Sequence, residues 1–210
     1  MGRFDPHVHT TLSNLRILDS INSPEALIDK AIEIGLSGIA ITDHEALCAH
    51  AKCNFYSEKY PDFTVALGNE IYLTDTRDKG QKYYHFILIA KDAIGHKALR
   101  KLSSTAWYNA YTDRGMERVP TTKAELKTIM QDYKGHVIAT TACMGGELST
   151  MAYSLFCEQE KGNLSEAEKY RKQINNFMSY CLEIFGSDFY IECAPSTAKD
   201  QCIVNNQLYN

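Results

Sequence analysis

The sequence predicts an α/β fold. Short β-rich apolar runs alternate along the chain with segments of helical periodicity. The clearest helical segments carry their own start and stop residues. Acid, imidazole and thiol groups recur at the ends of several apolar runs, as in Asp43-His44, Glu70 and Cys143.

Taken in order, residues 4–9 (FDPHVH) read as a short strand. Ser23-Pro24-Glu25 then opens a helix: a hydroxyl N-cap, Pro at the first helical position and a carboxylate in the first turn. This helix runs through Ala26, Leu27, Ala31 and Ile32 and stops near Gly35. Strands are expected at residues 37–42 (SGIAIT), 64–67 (TVAL) and 84–90 (YHFILIA). Between the last two, residues 74–82 (TDTRDKGQK) form a polar loop, a long hairpin or lid. Residues 109–120 are irregular. A second helix spans residues 121–130, with Thr capping and Leu126, Ile129 and Met130 in one apolar stripe. A strand at 136–140 (HVIAT) follows. The longest helix, 165–185, places Tyr170, Ile174, Phe177, Tyr180, Cys181 and Ile184 at core-facing spacing and stops at Gly186. A final strand covers 189–192 (FYIE).

A chain of 210 residues supports one substantial core, and one domain over 1–210 is expected. Hydrophobic residues at 44% and charged residues at 23% describe an ordinary globular protein. No apolar run reaches the ~18 residues of a membrane span. The N-terminus lacks the layout of a secretory signal. Position 6 carries Pro where myristoylation would want a hydroxyl residue. Seven cysteines, an odd number without paired spacing, argue for free thiols and a cytoplasmic location. The net charge of -4 argues against tight autonomous binding to nucleic acid, so metals or a neighbouring domain would have to supply positive potential.

Parallel β/α units bring the C-terminal ends of their strands to one rim, where barrel enzymes collect their active sites. Asp43-His44, Glu70 and Cys143 follow three predicted strands in this way, and His7 and His9 add an HxH at the start of the chain. His85 fits less well, because it lies at the beginning of its strand. Neutral imidazole and carboxylate suit zinc, manganese or iron, and a carboxylate can bridge two cations. Clustered cations of this kind bind a phosphate ester, activate water and stabilise the leaving oxygen. The pattern points to phosphoester hydrolysis.

At these residues the chain resembles the polymerase and histidinol phosphatase (PHP) domain family, and within it the N-terminal domain of the bacterial or phage DNA polymerase III alpha subunit. The matching stretches are HVHTTLS at 7–13, LDS at 18–20, GLSGIAITDHEAL at 35–47, LGNEIYL at 67–73, YYHFILIAKDAIGHKALRKLSS at 83–104, ATTACMGGELS at 139–149 and FGSDFYIE at 185–192. The resemblance implies a distorted (β/α)7 barrel and one to three divalent transition metals at its strand C-termini. It implies that His7, His9 and Glu70 hold a first metal. Glu70, His85 and Cys143 would hold a second, with Glu70 bridging, and Asp19 and His44 a third. The family pattern closes with an Asp-x-His that is absent before NNQLYN. A barrel short of its last strand, in a fragment of a longer polypeptide or a shortened homologue, is therefore expected. The missing ligands bear on the first and third metals rather than the second.

Each residue also has a plainer reading. Asp43 is expected to orient His44 rather than bind metal. Asp19 is alternatively a turn residue or N-cap, and Cys143 a small buried thiol. Gly145-Gly146 reads first as a turn and second as a phosphate nest. Arg16, Arg114 and Arg118 read as solvated loop charges before phosphate contacts. Trp107, Tyr108 and Tyr111 read as a docking face before base-stacking platforms. His50 and His96 are expected to be exposed on helices, and His136 to face the opposite rim. Cys48, Cys53, Cys157, Cys181, Cys193 and Cys202 read as packing or exposed thiols.

The function this implies is a metal-dependent phosphoesterase in a replicative polymerase, a 3′–5′ proofreading exonuclease. Its partners would be a DNA primer 3′ end and the remaining polymerase domains, with no membrane. A metal-stabilised scaffold and a stand-alone histidinol-phosphate-type phosphatase are the alternatives.

Overall fold

The computed structural model describes residues 2–113 and 115–209. Arg114, one of the three arginines considered above, lies outside them. The chain forms a curled mixed sheet wrapped by helices, a distorted and open barrel. Strands β1 (Phe4–Val8), β2 (Gly38–Ile41), β3 (Thr64–Thr74), β4 (Tyr84–Ala90), β7 (Pro120–Thr122), β8 (Val137–Thr140) and β9 (Phe189–Tyr190) make the sheet, in the order β1-β2-β3-β4-β8-β9 with β7 joined to β3. A separate hairpin pairs β5 (Tyr111–Asp113) with β6 (Met116–Arg118), inside the stretch expected to be irregular. The helices are α1 (Pro24–Glu33), α2 (His50–Ser57), α3 (Ala93–Tyr108), α4 (Lys123–Gln131), α5 (Glu147–Glu160), α6 (Leu164–Phe185) and α7 (Lys199–Tyr209). Of these, α1, α4 and α6 fall where periodicity and capping put them.

The caps explain the agreement. The Ser23 side chain accepts from the Ala26 N–H at 3.2 Å, and Thr122 with Glu125 forms a reciprocal capping box at the start of α4. Gly186 ends α6 at φ 56°. By contrast α5 begins at Gly146 without a side-chain cap, so no local residue announces it.

The sheet differs from an all-parallel barrel in one strand. β4 runs antiparallel to both β3 and β8, while β1–β2, β2–β3, β3–β7 and β8–β9 are parallel. The polar loop 74–82 connects β3 to β4 as a long hairpin. β3 itself continues seven residues beyond the expected TVAL, through Gly68. A Cβ at Gly68 would meet the Leu88 carbonyl oxygen and Thr42 Cγ2, each at 2.8 Å. Glycine there is a packing requirement rather than the break its propensity suggests.

Alternation assigns the faces. On β4, Phe86 and Leu88 join the outer core formed with α3, α4 and α6, including Leu99, Leu126, Phe177 and Ile184. Ile87 and Ile89 face inward, beside Ala40, Ala66 and Ala142. A second outer core packs Ile28, Ala31, Ile39, Ile41, Cys53 and Phe63 between α1, α2 and the sheet. Burying each such large side chain is worth ~1.5–3 kcal/mol, so these two cores hold the sheet's curvature. The inner face encloses an apolar cavity of about 370 Å³ lined by Phe4, Pro6, Ile89, Ile138 and Tyr190. It lies between the edge strands β1 and β9, which do not pair with each other in the described sheet. The expected opening in the barrel is therefore visible as a seam.

His50 differs from expectation. It is 4% exposed, at the start of α2. Its Nε2–H donates to the Gly68 carbonyl at 2.8 Å, and its Nδ1 is 2.9 Å from His96 Nε2. His96 is half-buried rather than exposed. His136, at the foot of β8, lies 2.7 Å from Asp92 and faces the far rim as expected. Burial pulls His50 down to about 4, only partly offset by the Gly68 carbonyl. The unfolded chain then binds the extra proton between pH 6.5 and 4, so stability is complete above that window and falls on acidification through it. Relative to His50→Gln, the wild-type protein should lose about 3 kcal/mol more between pH 7 and pH 4. Guanidinium unfolding of both proteins at the two pH values checks this. Equal losses would show that His50 titrates normally.

Candidate metal centre

The centre is built around Glu70, fully buried on the inward face of β3. Four imidazoles close on its carboxylate. His44 Nδ1 is 2.8 Å from Oε2 and His85 Nδ1 is 2.9 Å from Oε1. His9 Nε2 lies 3.4 Å from Oε2 and His7 Nε2 3.6 Å from Oε1. The His7 and His9 Nε2 atoms are 3.0 Å apart. Asp19 Oδ2 is 2.9 Å from the outer nitrogen of His44.

The topology explains how each side chain arrives. The reversed direction of β4 puts its first residues beside the last residues of β3, with Tyr72 opposite His85. His85 thus reaches the same rim as Glu70, which resolves its odd position in the sequence. In β1, Phe4 and Pro6 line the inner cavity, so strict alternation would turn His7 and His9 outward. A register shift between Asp5 and Val8 corrects this, and both imidazoles face inward. Two non-glycine residues beside the centre adopt positive φ, Glu45 at 41° and Ala142 at 58°. Each follows or precedes a candidate ligand, where strained backbone re-aims a side chain.

Supporting polar groups hold the rings. His7 Nδ1 is 2.8 Å from Glu192 Oε1, an acid that sequence reasoning did not single out. Glu192 is itself fixed, because Thr140 Oγ1 donates to its Oε2 at 3.0 Å and its N–H donates to Thr141 Oγ1 at 3.0 Å. The available signal was a carboxylate ending an apolar run, FYIE, as Glu70 does. Asp43 was expected to orient His44. Instead it accepts from the N–H and Oγ1 of Thr10 at 2.6 and 2.8 Å, which ties down the loop after His9. Ser13 in that loop accepts from the His44 N–H at 3.1 Å. His44 stacks between His9 and Tyr72 at centroid distances of 4.5 and 5.8 Å.

Electrostatics follow from burial and proximity. Burial alone would raise Glu70, but the imidazoles of His44, His7 and His85 outweigh it and hold the carboxylate well below its usual range. Burial lowers His7, yet Glu192 and Glu70 carry it up to about 10. His85 likewise rises to about 10, against burial, through Cys143 and Glu70. Burial pushes His9 down to about 4. Asp43 rises to about 6 for the same reason, with the Thr10 donors opposing.

Despite these short distances, neither Glu70 oxygen nor His44 Nδ1 has a partner of hydrogen-bond geometry. Buried polar atoms rarely go without one. Lone pairs that converge without pointing at one another fit an ion between them. Among the described residues, three groups offer ligand atoms within 4.8 Å of one another: His7, His9 and Glu70; His9, Asp19 and His44; and His44, Glu70 and His85. The donor set of imidazoles and carboxylates matches borderline divalent metals.

The seven candidate residues thus gather on one rim. His44 is the residue that groups with Glu70 and His85 within 4.8 Å. Cys143 stands next to this group, its Sγ 3.6 Å from His85 Nδ1. Asp19 is not an N-cap, since Ser23 caps α1. The turn reading of Gly145-Gly146 holds: Gly145 N–H donates to Cys143 Sγ at 3.4 Å and Gly146 N–H to the Cys143 carbonyl at 2.9 Å.

The open α/β barrel carries, on one rim, a cluster of histidines and carboxylates with the donor set of a metal centre. The PHP domain family model matches residues 5–196, and the chain belongs to the PHP domain family. It is 37% identical over 218 residues to the DNA-directed DNA polymerase of Bacillus phage SPbeta, covering 96% of this chain and 17% of that protein. It is 31% identical to the DNA polymerase III subunit alpha of Borreliella burgdorferi, over 96% of this chain and 16% of the relative. Against the same subunit of Aquifex aeolicus identity is 30%, with the same coverages. The chain therefore spans about a sixth of the length of these relatives. Among the described residues no helix is long and apolar enough to cross a membrane.

Gly145 packs on the His85 ring, where a Cβ would lie 2.9 Å from Nδ1 and 3.0 Å from Cγ. Gly145→Ala should displace the ring and weaken zinc binding about 10–100-fold. Calorimetric titration with zinc measures this, and wild-type affinity in the variant would show that the ring does not contribute.

Proposed function

We propose that this chain is the metal-dependent phosphoesterase domain of a replicative DNA polymerase, and that it removes nucleotides from a DNA primer 3′ end as a 3′–5′ exonuclease. One observation carries the reading: a buried carboxylate, Glu70, approached by four imidazoles with neither of its oxygens in a directional hydrogen bond. The polymerase names of its relatives supply the substrate class and the further domains as partners. The cytoplasm is where such a partner complex would work.

The residues divide the work. His7, His9, Asp19, His44, Glu70 and His85, with Cys143 alongside, would hold one to three divalent transition metals, zinc, manganese or iron. When bound, these cations supply Lewis-acid charge and an activated water for attack on a phosphodiester. Glu192 orients His7 by accepting a hydrogen bond from its Nδ1–H, which leaves Nε2 directed at the cluster. Asp43 holds the Thr10 turn and so the position of His9. Tyr72 and His9 sandwich His44 and limit its rotation. No side-chain nucleophile is required.

With manganese or zinc, the protein should shorten a mismatched primer from its 3′ end, and His9→Ala should lower this rate at least 100-fold. Gel assays of end-labelled primer, with melting curves to show that the variant folds, test it. An undiminished rate in His9→Ala would count decisively against the proposal.

The net charge of -4 and the open seam favour a second reading, a metal-stabilised scaffold for the polymerase body. Metal held ~100-fold above its dissociation constant adds about 2.7 kcal/mol, or roughly 5–10 °C for a domain of this size. Chelation should lower the melting temperature by that amount under either reading. Only the scaffold predicts the shift with no nuclease activity at all.

A further inference from the structure

A cavity of about 350 Å³ opens beside the metal centre and shares His85 and Tyr72 with it. Its remaining wall comes from Arg16, Tyr83, Met116 and Arg118, so the β5–β6 hairpin forms one side. The sequence alone suggests solvated loop charges for both arginines. The structure differs: the Arg16 side chain is 9% exposed, and the Nε atoms of both Arg16 and Arg118 are buried without a hydrogen-bond partner. Arg16 is held in place by Glu117, through Oε2 and the carbonyl, each at 3.1 Å, and by stacking 5.0 Å over Trp107. The Arg118 guanidinium lies 5.7 Å from the Tyr83 ring centre and has no acidic partner among the described residues. Tyr83 in turn meets the Tyr111 hydroxyl of the hairpin.

We propose that this cavity receives one nucleotide unit of single-stranded DNA, the phosphate adjacent to the scissile one lying on Arg118 and Arg16 and its base or sugar against Tyr83. The inference rests on the phosphoesterase reading above and adds the strand site to it. Buried guanidinium donors without partners are costly. Their planar forks match the geometry of phosphate oxygens. Stacking on tyrosine is tolerant of base identity, as a strand-degrading site requires. The volume sits at the lower end of ligand sites, which suits one unit rather than a duplex. A phosphate monoester would need only the metal rim. A second cationic site alongside it belongs to a chain of phosphates.

The test uses the full 210-residue chain after chelation, so that binding is read without turnover. Fluorescence anisotropy follows a labelled ten-residue oligothymidylate across a salt series, with thymidine monophosphate as competitor. The wild-type protein should bind the oligonucleotide, and Arg118→Gln should weaken binding about 10-fold. It should also flatten the slope of log affinity against log salt by about 0.7, one phosphate contact in a single strand. Arg118→Lys, which keeps the charge but not the fork, should recover only part of the affinity and serves if Arg118→Gln does not fold. Metal content should be unchanged in both variants. Unaltered affinity in both Arg118 variants, no binding by wild type, or a monophosphate binding as tightly as the oligonucleotide would each overturn the strand site. Loss of binding in Arg118→Gln when wild type shows no nuclease activity would refute the exonuclease reading alone and leave the strand site standing.

Discussion

The rim of this protein is organised by one buried negative charge. A carboxylate with no exposed surface, as Glu70 has none, costs several kcal/mol to desolvate unless it is matched. The imidazoles of His44, His85 and His7 supply the match, at 2.8 to 3.6 Å. Without them burial would raise the Glu70 carboxyl and favour its protonated form, and without the acid two of the rings would lose the charge that raises them. Acid and rings hold one another in place, whatever else sits between them.

That mutual constraint is satisfied by the fold's departures from regularity. A regular parallel barrel would send His85 to the wrong end of its strand, and an unbroken β1 would turn His7 and His9 away from the interior. One reversed strand and one register shift correct both. The positive φ angles of Glu45 and Ala142 lie in the same rim. Irregular backbone is concentrated where the side chains must converge, while the two outer cores remain ordinary packed hydrophobic surfaces.

Charge is distributed to the same end. The chain as a whole carries -4, which disfavours a polyanion approaching at random. Close to the rim the carboxylates are matched by histidines, and Arg16 and Arg118 line the adjoining cavity. The inner cavity at the seam between β1 and β9 is lined by apolar residues together with Glu192, the acid behind His7.

The residue order alone was enough for the α/β class and for three of the helices, because these depend on short-range physics, while the full candidate set at the rim rested on the family resemblance. Ser23-Pro24-Glu25, the Thr122–Glu125 box and Gly186 act within one helical turn, and alternation along a strand acts within two residues. The direction of β4, the shift in β1 and the passage of β3 through Gly68 lay beyond that range. So did the acid behind His7, the burial of His50 and the approach of His44 to both Glu70 and Asp19. Each depends on which strand lies next to which, and pairing between distant segments leaves no periodic trace in the segments themselves. Glu192 stands 185 residues from His7. Only the closing of the sheet brings an acid and an imidazole so far apart in the chain to within 2.8 Å.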